Sequence, residues 1–344
     1  MFHRVCAVNI SSRPFVAWTI WLLGAVFSVL GSTSVHAQIS CTPSMSDLVF
    51  GTVDPLSSLT NATATLTFNC TNSNNNSRAA TLCFSIGEPG GAQTNPRRLS
   101  SGANFLNFQL YRDSTYSTVW GSTFFGSNTP LQVNVTVPGK SSVSVPGSAT
   151  MYGRVLAGQT SAVPGAYTRI YQSGDTALRI NQNNNNTAPG SCGNTVGGAF
   201  PFDVSATVIK SCTVTAGAAS DIQIGPASGV PVDAVNSSGT NSIGVTCSGG
   251  TAYFIGLKPS NNNTAGLGAM SGTGANTDKV PYQLRSVSAS GPIWGNTATA
   301  TSVGNGVAGI GTGVAQSVPV FAVAPSANFT PDNYSDIVTV TVNY

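Results

Sequence analysis

Charge and histidine are scarce in this sequence. Only 7 % of the 344 residues are charged, the two histidines are His3 and His36, and Glu88 is the one glutamate. Both histidines fall in a leader marked for removal. Arg4 and Arg13 give it a positive start, Phe15 to Leu30 is an apolar run, and Val35-His36-Ala37 is a small-x-small cleavage site before Gln38. An uncleaved membrane anchor is the competing reading of residues 1–37, although the run is short against the roughly 20 residues a span needs. No later stretch could cross a bilayer. A mature chain without histidine cannot assemble a Ser-His-Asp or Cys-His arrangement, and a zinc site loses its commonest nitrogen ligand. No pair of aspartates forms a recognisable acid–base constellation; Asp47 and Asp54 flank a strand-turn region, where turn-forming aspartates are ordinary. The Gly-rich stretch Gly304 to Gly313 follows no helical signal and lacks the Lys-Ser/Thr ending of a phosphate loop. Catalysis, metals and cofactors are therefore not expected. Without Arg4 and Arg13 the 14 basic residues become 12 against 11 acidic ones, a net +1. Nothing in that balance points to nucleic acid or an anionic membrane.

Glycine (38), proline (19), Asn, Ser and Thr are what the chain has, with no long helical-period segment. That is the profile of an all-β protein with many turns. Two halves repeat each other. Ser40-Cys41-Thr42 with Val49-Phe50-Gly51 returns as Ser211-Cys212-Thr213 with Gln223-Ile224-Gly225. Thr67-Phe68-Asn69-Cys70 returns as Gly244-Val245-Thr246-Cys247. Phe108-Gln109-Leu110-Tyr111-Arg112 and Trp120-Gly121 return as Tyr282-Gln283-Leu284-Arg285 and Trp294-Gly295. Pro164-Gly-Ala-Tyr167 returns as Pro331-Asp-Asn-Tyr334.

Loss of Cys6 with the leader leaves six cysteines, an even number in an exported chain, and so a disulfide framework. Fifteen pairings are possible. The repeat selects Cys41–Cys70 and Cys212–Cys247, 29 and 35 residues apart, and leaves Cys83–Cys192 as an extra staple in the first half. Strands are expected at Thr63 to Phe68, Gln132 to Val137 and Val338 to Val342. The Asn181 to Asn186 run reads as polar loop or linker. Arg97-Arg98 reads as a solvated pair in a long loop. Trp120 and Trp294 could stack on sugars, but their equivalent repeat positions favour shared packing. Two immunoglobulin-like β-sandwich domains in tandem follow, at residues 38–198 and 199–344.

From Phe200 to Val208 every second residue is apolar: Phe200, Phe202, Val204, Ala206, Val208. This is the pattern of a half-buried strand. It precedes the second copy's first cysteine and has no counterpart in the first copy. It is either the second domain's first strand or a strand that completes the first domain. At the other end Val338, Val340, Val342 and Tyr344 share a strand face. Either the second sandwich is complete there or it lacks its last strand and offers an open edge.

The Ser-Cys-Thr, Phe-Gly, Tyr152-Gly153-Arg154, Pro-Gly-x-Tyr and final Val-Thr-Val-Thr-Val-x-Tyr landmarks resemble the spore coat protein U domain of Csu-type, archaic chaperone–usher pilins. In the second half Val320-Phe321-Ala322-Val323 stands where Tyr-Gly-Arg would be expected. The resemblance implies a pilin domain that lacks its last strand. A periplasmic chaperone lends that strand first, and the N-terminal extension of an adjacent pilin subunit lends it after passage through an outer-membrane usher. A mature start at Gln38 leaves three residues before Cys41, too few to donate a strand. The chain is thus expected to be a two-domain tip subunit, extracellular by way of the periplasm of a Gram-negative bacterium. In it Phe200 to Val208 would act as an internal donor strand, and Val338, Val340, Val342 and Tyr344 as the edge for chaperone or next subunit. Hydrophobic loops of the first domain (Phe124, Phe125, Val143, Val145, Val163) would touch an abiotic or host surface. Phe124 and Phe125 read equally as strand residues with one in the core. An exported coat or matrix protein without a binding site is the alternative.

Overall fold

The computed structural model describes residues 39–344 except 58, 89–95, 124–129, 141–143, 226–236 and 327. Strands follow one another as β1 (Ile39–Met45), β2 (Leu48–Val53), β3 (Thr60–Asn72), β4 (Arg78–Ile86), β5 (Arg97–Ser101), β6 (Asn104–Tyr111), β7 (Leu131–Val137), β8 (Val145–Val155), β9 (Gly165–Tyr171), β10 (Thr176–Gln182), β11 (Thr195–Gly198) and β12 (Phe202–Val208). The second half continues with β13 (Cys212–Thr215), β14 (Ser237–Cys247), β15 (Ala252–Pro259), β16 (Leu267–Ser271), β17 (Lys279–Ser286), β18 (Val307–Ile310), β19 (Gln316–Ala324) and β20 (Val338–Asn343). One 3-10 turn, Ala218–Ser220, is the helical content of the described residues. The chain is an all-β protein, and none of these elements is a helix long and apolar enough to cross a membrane.

A large sheet with order β1-β3-β8-β6-β5-β9-β12-β2 faces a smaller one, β11-β10-β4-β7. In β3 the apolar side chains at Ala64, Leu66, Phe68 and Cys70 point inward and Thr65, Thr67 and Asn69 between them outward, the period of a half-buried strand. β4, covered on both faces, is buried at all nine positions. The second half repeats the design as β13-β14-β19-β17-β16 facing β18-β15-β20. Each sheet pair encloses its own core.

The duplication is visible bond by bond. Cys41 faces Cys70 across β1/β3, and Cys212 faces Cys247 across β13/β14; both pairs are disulfides, as is Cys83–Cys192. Trp120 and Trp294 are fully buried, and each indole N–H donates to a carbonyl in the middle of the smaller sheet, Phe84 O at 2.8 Å and Ile255 O at 2.9 Å. Their role is packing, not sugar stacking. Tyr167 donates its hydroxyl hydrogen to Val163 O, and Tyr334 to Thr330 O, both at 2.7 Å and four residues back. These are the corner tyrosines of β-sandwiches. β19 holds the place of β8: it pairs with β14 as β8 pairs with β3. The Tyr-Gly-Arg landmark is thus replaced by Val320 to Val323 without loss of the strand.

One expectation fails. Arg97 does not lie in a solvated loop; it opens β5 and is 5 % exposed, while Arg98 points outward over the Phe105 ring. Strand alternation separates the two neighbours. The Asn run takes the loop alternative: Asn181 and Gln182 finish β10, and 183–190 turn back within the first sandwich.

Candidate functional site

The difference between the two halves that bears on function lies at the place β12 occupies. β12 runs antiparallel to β9, with Phe202 opposite Tyr171, Val204 opposite Arg169 and Val208 opposite Gly165. On its other edge it runs parallel to β2, with Val204 opposite Leu48. Phe202, Val204, Ala206 and Val208 point into the first core, and Phe200 is buried just before them. The Phe202 ring stacks on Tyr171 at 4.7 Å, and Phe200 meets Phe84 edge-on at 5.9 Å. Burying these five side chains stabilises the first sandwich by up to about 5–10 kcal/mol.

In the second half the large sheet stops after β16, beyond which a single bridge joins Ser271 to Ser335. The corner tyrosines place 334–338 where β9 lies. Residues 221–225, which repeat the β2 landmark, form no strand. Among the described residues no strand takes the position between them. The core shows the consequence. Among the described residues the first cluster has 32 buried residues and 6 half-buried ones packed against it; the second has 11 and 9. Ile222, Ile224, Met270, Val338, Val340 and Val342 are among those half-buried nine. Val338, Val340 and Val342 pair with Pro259, Leu257 and Ile255 of β15, so one edge of β20 is taken. Tyr344 and Ile337 are exposed. The position equivalent to that of β12 therefore borders Tyr334–Val338, and the β20 valines line the core beside it.

The polar chemistry of the first sandwich gathers at Glu88. Its carboxylate accepts from Arg97 and from Arg169, the latter at 3.1 Å. Arg97 also donates to the carbonyls of Ile86 (3.1 Å) and Trp120 (2.9 Å), to Gln109 Oε1 (3.1 Å) and to Tyr171 Oη (3.2 Å). Burial, ahead of the nearby charges, pushes the Tyr171 hydroxyl up to about 12. The chain's one glutamate was the sequence signal for this node. It is fully partnered and structural. Among the described residues no group of three or more His, Cys, Asp or Glu side chains could hold a metal. Asp54 accepts the Leu56 N–H in a turn, and Asp47 accepts the Asp203 N–H at 2.9 Å.

Of the surface candidates, Val145 and Val163 lie at opposite ends of the first sandwich. Phe124, Phe125 and Val143 lie outside the described residues. Val145 is half-buried in β8 opposite Cys70 and packs on the core. Val163 is half-buried at the other end of the sandwich, in a loop against the second one, where Gly249 N–H donates to Thr160 O at 3.2 Å.

The family model for the Spore Coat Protein U domain matches residues 26–172 and again 199–341. No curated protein matches the chain. Among solved structures, the CsuC-CsuE chaperone-tip adhesion subunit pre-assembly complex from archaic chaperone-usher Csu pili of Acinetobacter baumannii contains a chain 18 % identical. The match covers 89 % of this chain and 100 % of that one, with a TM-score of 0.46. The CupB6 tip adhesin of Pseudomonas aeruginosa is 10 % identical, with 88 % and 94 % covered and a TM-score of 0.34. CfaE, the adhesive subunit of the CFA/I fimbria of enterotoxigenic Escherichia coli, is 10 % identical, with 76 % and 81 % covered and a TM-score of 0.28.

Proposed function

Because the chain belongs to the Spore Coat Protein U domain family, we propose that it is the two-domain tip subunit of a chaperone–usher pilus, attaching cells to surfaces and supporting biofilm formation. Residues 1–37 are its export signal, 38–198 with the inserted β12 form the adhesive domain, and the remainder to 344 forms the pilin domain. The observation that carries this reading is the strand slot. The first sandwich fills it with a strand from its own chain; in the second, no strand among the described residues takes the same position beside Tyr334–Val338. A half-open β-core with an unpaired edge is an aggregation hazard unless another chain supplies the strand. A periplasmic chaperone supplies it before assembly, and an adjacent pilin subunit supplies it after the outer-membrane usher. The two-sandwich chain contributes no catalysis and needs no cofactor.

The test is co-expression with a periplasmic pilus chaperone, beside a variant carrying a second copy of Phe200–Val208 tethered after Tyr344. The native chain is expected to form a one-to-one complex, and the self-filled variant to be recovered free of chaperone. A native chain exported as a stable free monomer, with no complex, makes the exported coat protein the better reading.

A further inference from the structure

The end of the first sandwich farthest from the second is rich in amides. β3 runs from Thr60, opposite Val155 and the loop that touches the second sandwich, to Asn72. At about 3.3 Å per residue its thirteen residues span roughly 40 Å. Two Asn-rich turns meet at the Asn72 end, 73–77 and 183–190, with residues 138–140 beside the first.

The turns are built, not loose. Buried Asn72 donates through Nδ2 to Asn76 O and Val137 O, both at 3.0 Å, and its Oδ1 accepts the Asn74 N–H at 2.9 Å. Asn74 Oδ1 accepts the Asn76 N–H. Lys140 N–H donates to Asn74 O. In the second turn Asn185 Oδ1 accepts the Thr187 N–H, Asn183 Nδ2 donates to Thr187 O, and the backbone of 183 and 185 pairs with Ala79. Arg78, about nine-tenths buried, ties the turns together by donating to Asn184 Oδ1. After these bonds are made, the whole side-chain amides of Asn75, Asn76 and Asn186 remain unpartnered and exposed, and so do the Nδ2 groups of Asn184 and Asn185.

We infer that this pole binds a neutral, hydroxyl-rich polymer, the surface of a polysaccharide, which names the ligand class of the adhesive domain proposed above and rests on that reading only for its setting at a pilus tip. Each free amide offers a donor pair and an acceptor, and a sugar hydroxyl is both donor and acceptor. The turns fix the backbone that carries these groups before binding, so the ordering left to binding is that of the side chains alone. Protein partners need buried aromatic or aliphatic anchors, and residues 73–77 and 183–187 carry none. Arg78 and Lys140 are the only charges in residues 71–78, 137–140 and 181–190, so no carboxylate is there to hold a cation.

The test measures retention of the purified full chain on microcrystalline cellulose and neutral dextran, on anionic alginate and on alkylated silica. The triple variant Asn75→Ala, Asn76→Ala, Asn186→Ala is run beside it, with the thermal midpoint as a folding control. Losing several hydrogen bonds of ordinary strength is expected to cut retention on the neutral polysaccharides at least about tenfold. The midpoint and any retention on silica stay unchanged. No retention of the native chain on neutral polysaccharide, equal retention of the variant, or retention on alginate alone overturns the inference. Chaperone complexation is read separately, so either proposal falls without the other.

Discussion

Tyr171 shows what a single side chain contributes to the buried ion cluster. Its hydroxyl touches Arg97 and Glu88, and burial raises it to about 12 against roughly 10 in the unfolded chain. The folded state therefore holds that proton more tightly. The contribution is full below pH 10 and is lost as pH rises from 10 to 12, by about 2–3 kcal/mol for a group this buried. Tyr171→Phe should flatten the alkaline limb of a denaturant-midpoint profile over that interval relative to the native chain. Other tyrosines, Tyr282 among them, are also raised by burial, so the difference between the two proteins, not the limb itself, isolates Tyr171. An unchanged difference across pH 10–12 would show that the hydroxyl is as free to ionise as in the unfolded chain. None of this was readable from Arg97-Arg98 as a dipeptide. A charged pair looks solvated until strand alternation turns one member inward onto a glutamate nine residues away.

Strands and staples were far more legible than the charges between them. The alternation from Phe200 to Val208 marks a strand by itself, and the repeat alone selects the three disulfides. What periodicity does not carry is partner choice. Nothing in Leu48–Val53 says that it lies parallel to β12, a pairing between segments about 150 residues apart in sequence. The Asn run was legible as polar but not as placed, because its position depends on the far-off Arg78 and Cys83. Cys83–Cys192 spans 109 residues and fixes the segment after β10 against β4. Closing so long a loop in the unfolded chain predicts a contribution of about 4–5 kcal/mol, and native disulfides of this kind cost about 2–5 when removed. The double variant Cys83→Ala, Cys192→Ala should lose that much in urea unfolding. Amide exchange should accelerate in 181–198 and stay unchanged in 212–247, beyond the first sandwich. Faster exchange in both halves would show the two cores to be one cooperative unit.

At the scale of the molecule the two sandwiches are one design at two stages of completion, and their stabilities should differ accordingly. The first core encloses β12; among the described residues the second has nine half-buried apolar residues packed against it. The buried tryptophans give each half its own reporter. With Trp120→Phe, the remaining Trp294 follows the second sandwich; with Trp294→Phe, Trp120 follows the first. Each substitution removes one indole donor and leaves a buried carbonyl unpaired, about 1–3 kcal/mol. That penalty falls on the half no longer observed. The Trp294 transition is expected at the lower temperature. A synthetic peptide of the Phe200–Val208 sequence carries the alternating face that the repeat places in this slot. At a hundredfold excess over its Kd it should stabilise the second sandwich by about 2.7 kcal/mol, roughly 5–15 °C in midpoint for a unit of this size. The Trp120 transition should not move, because its slot is already filled from within the chain. A scrambled peptide, which breaks the period of two and puts polar residues on the inward face, should move neither. Coincident transitions, or a peptide shift seen at Trp120 as well, would mean that the second core has no strand-shaped opening.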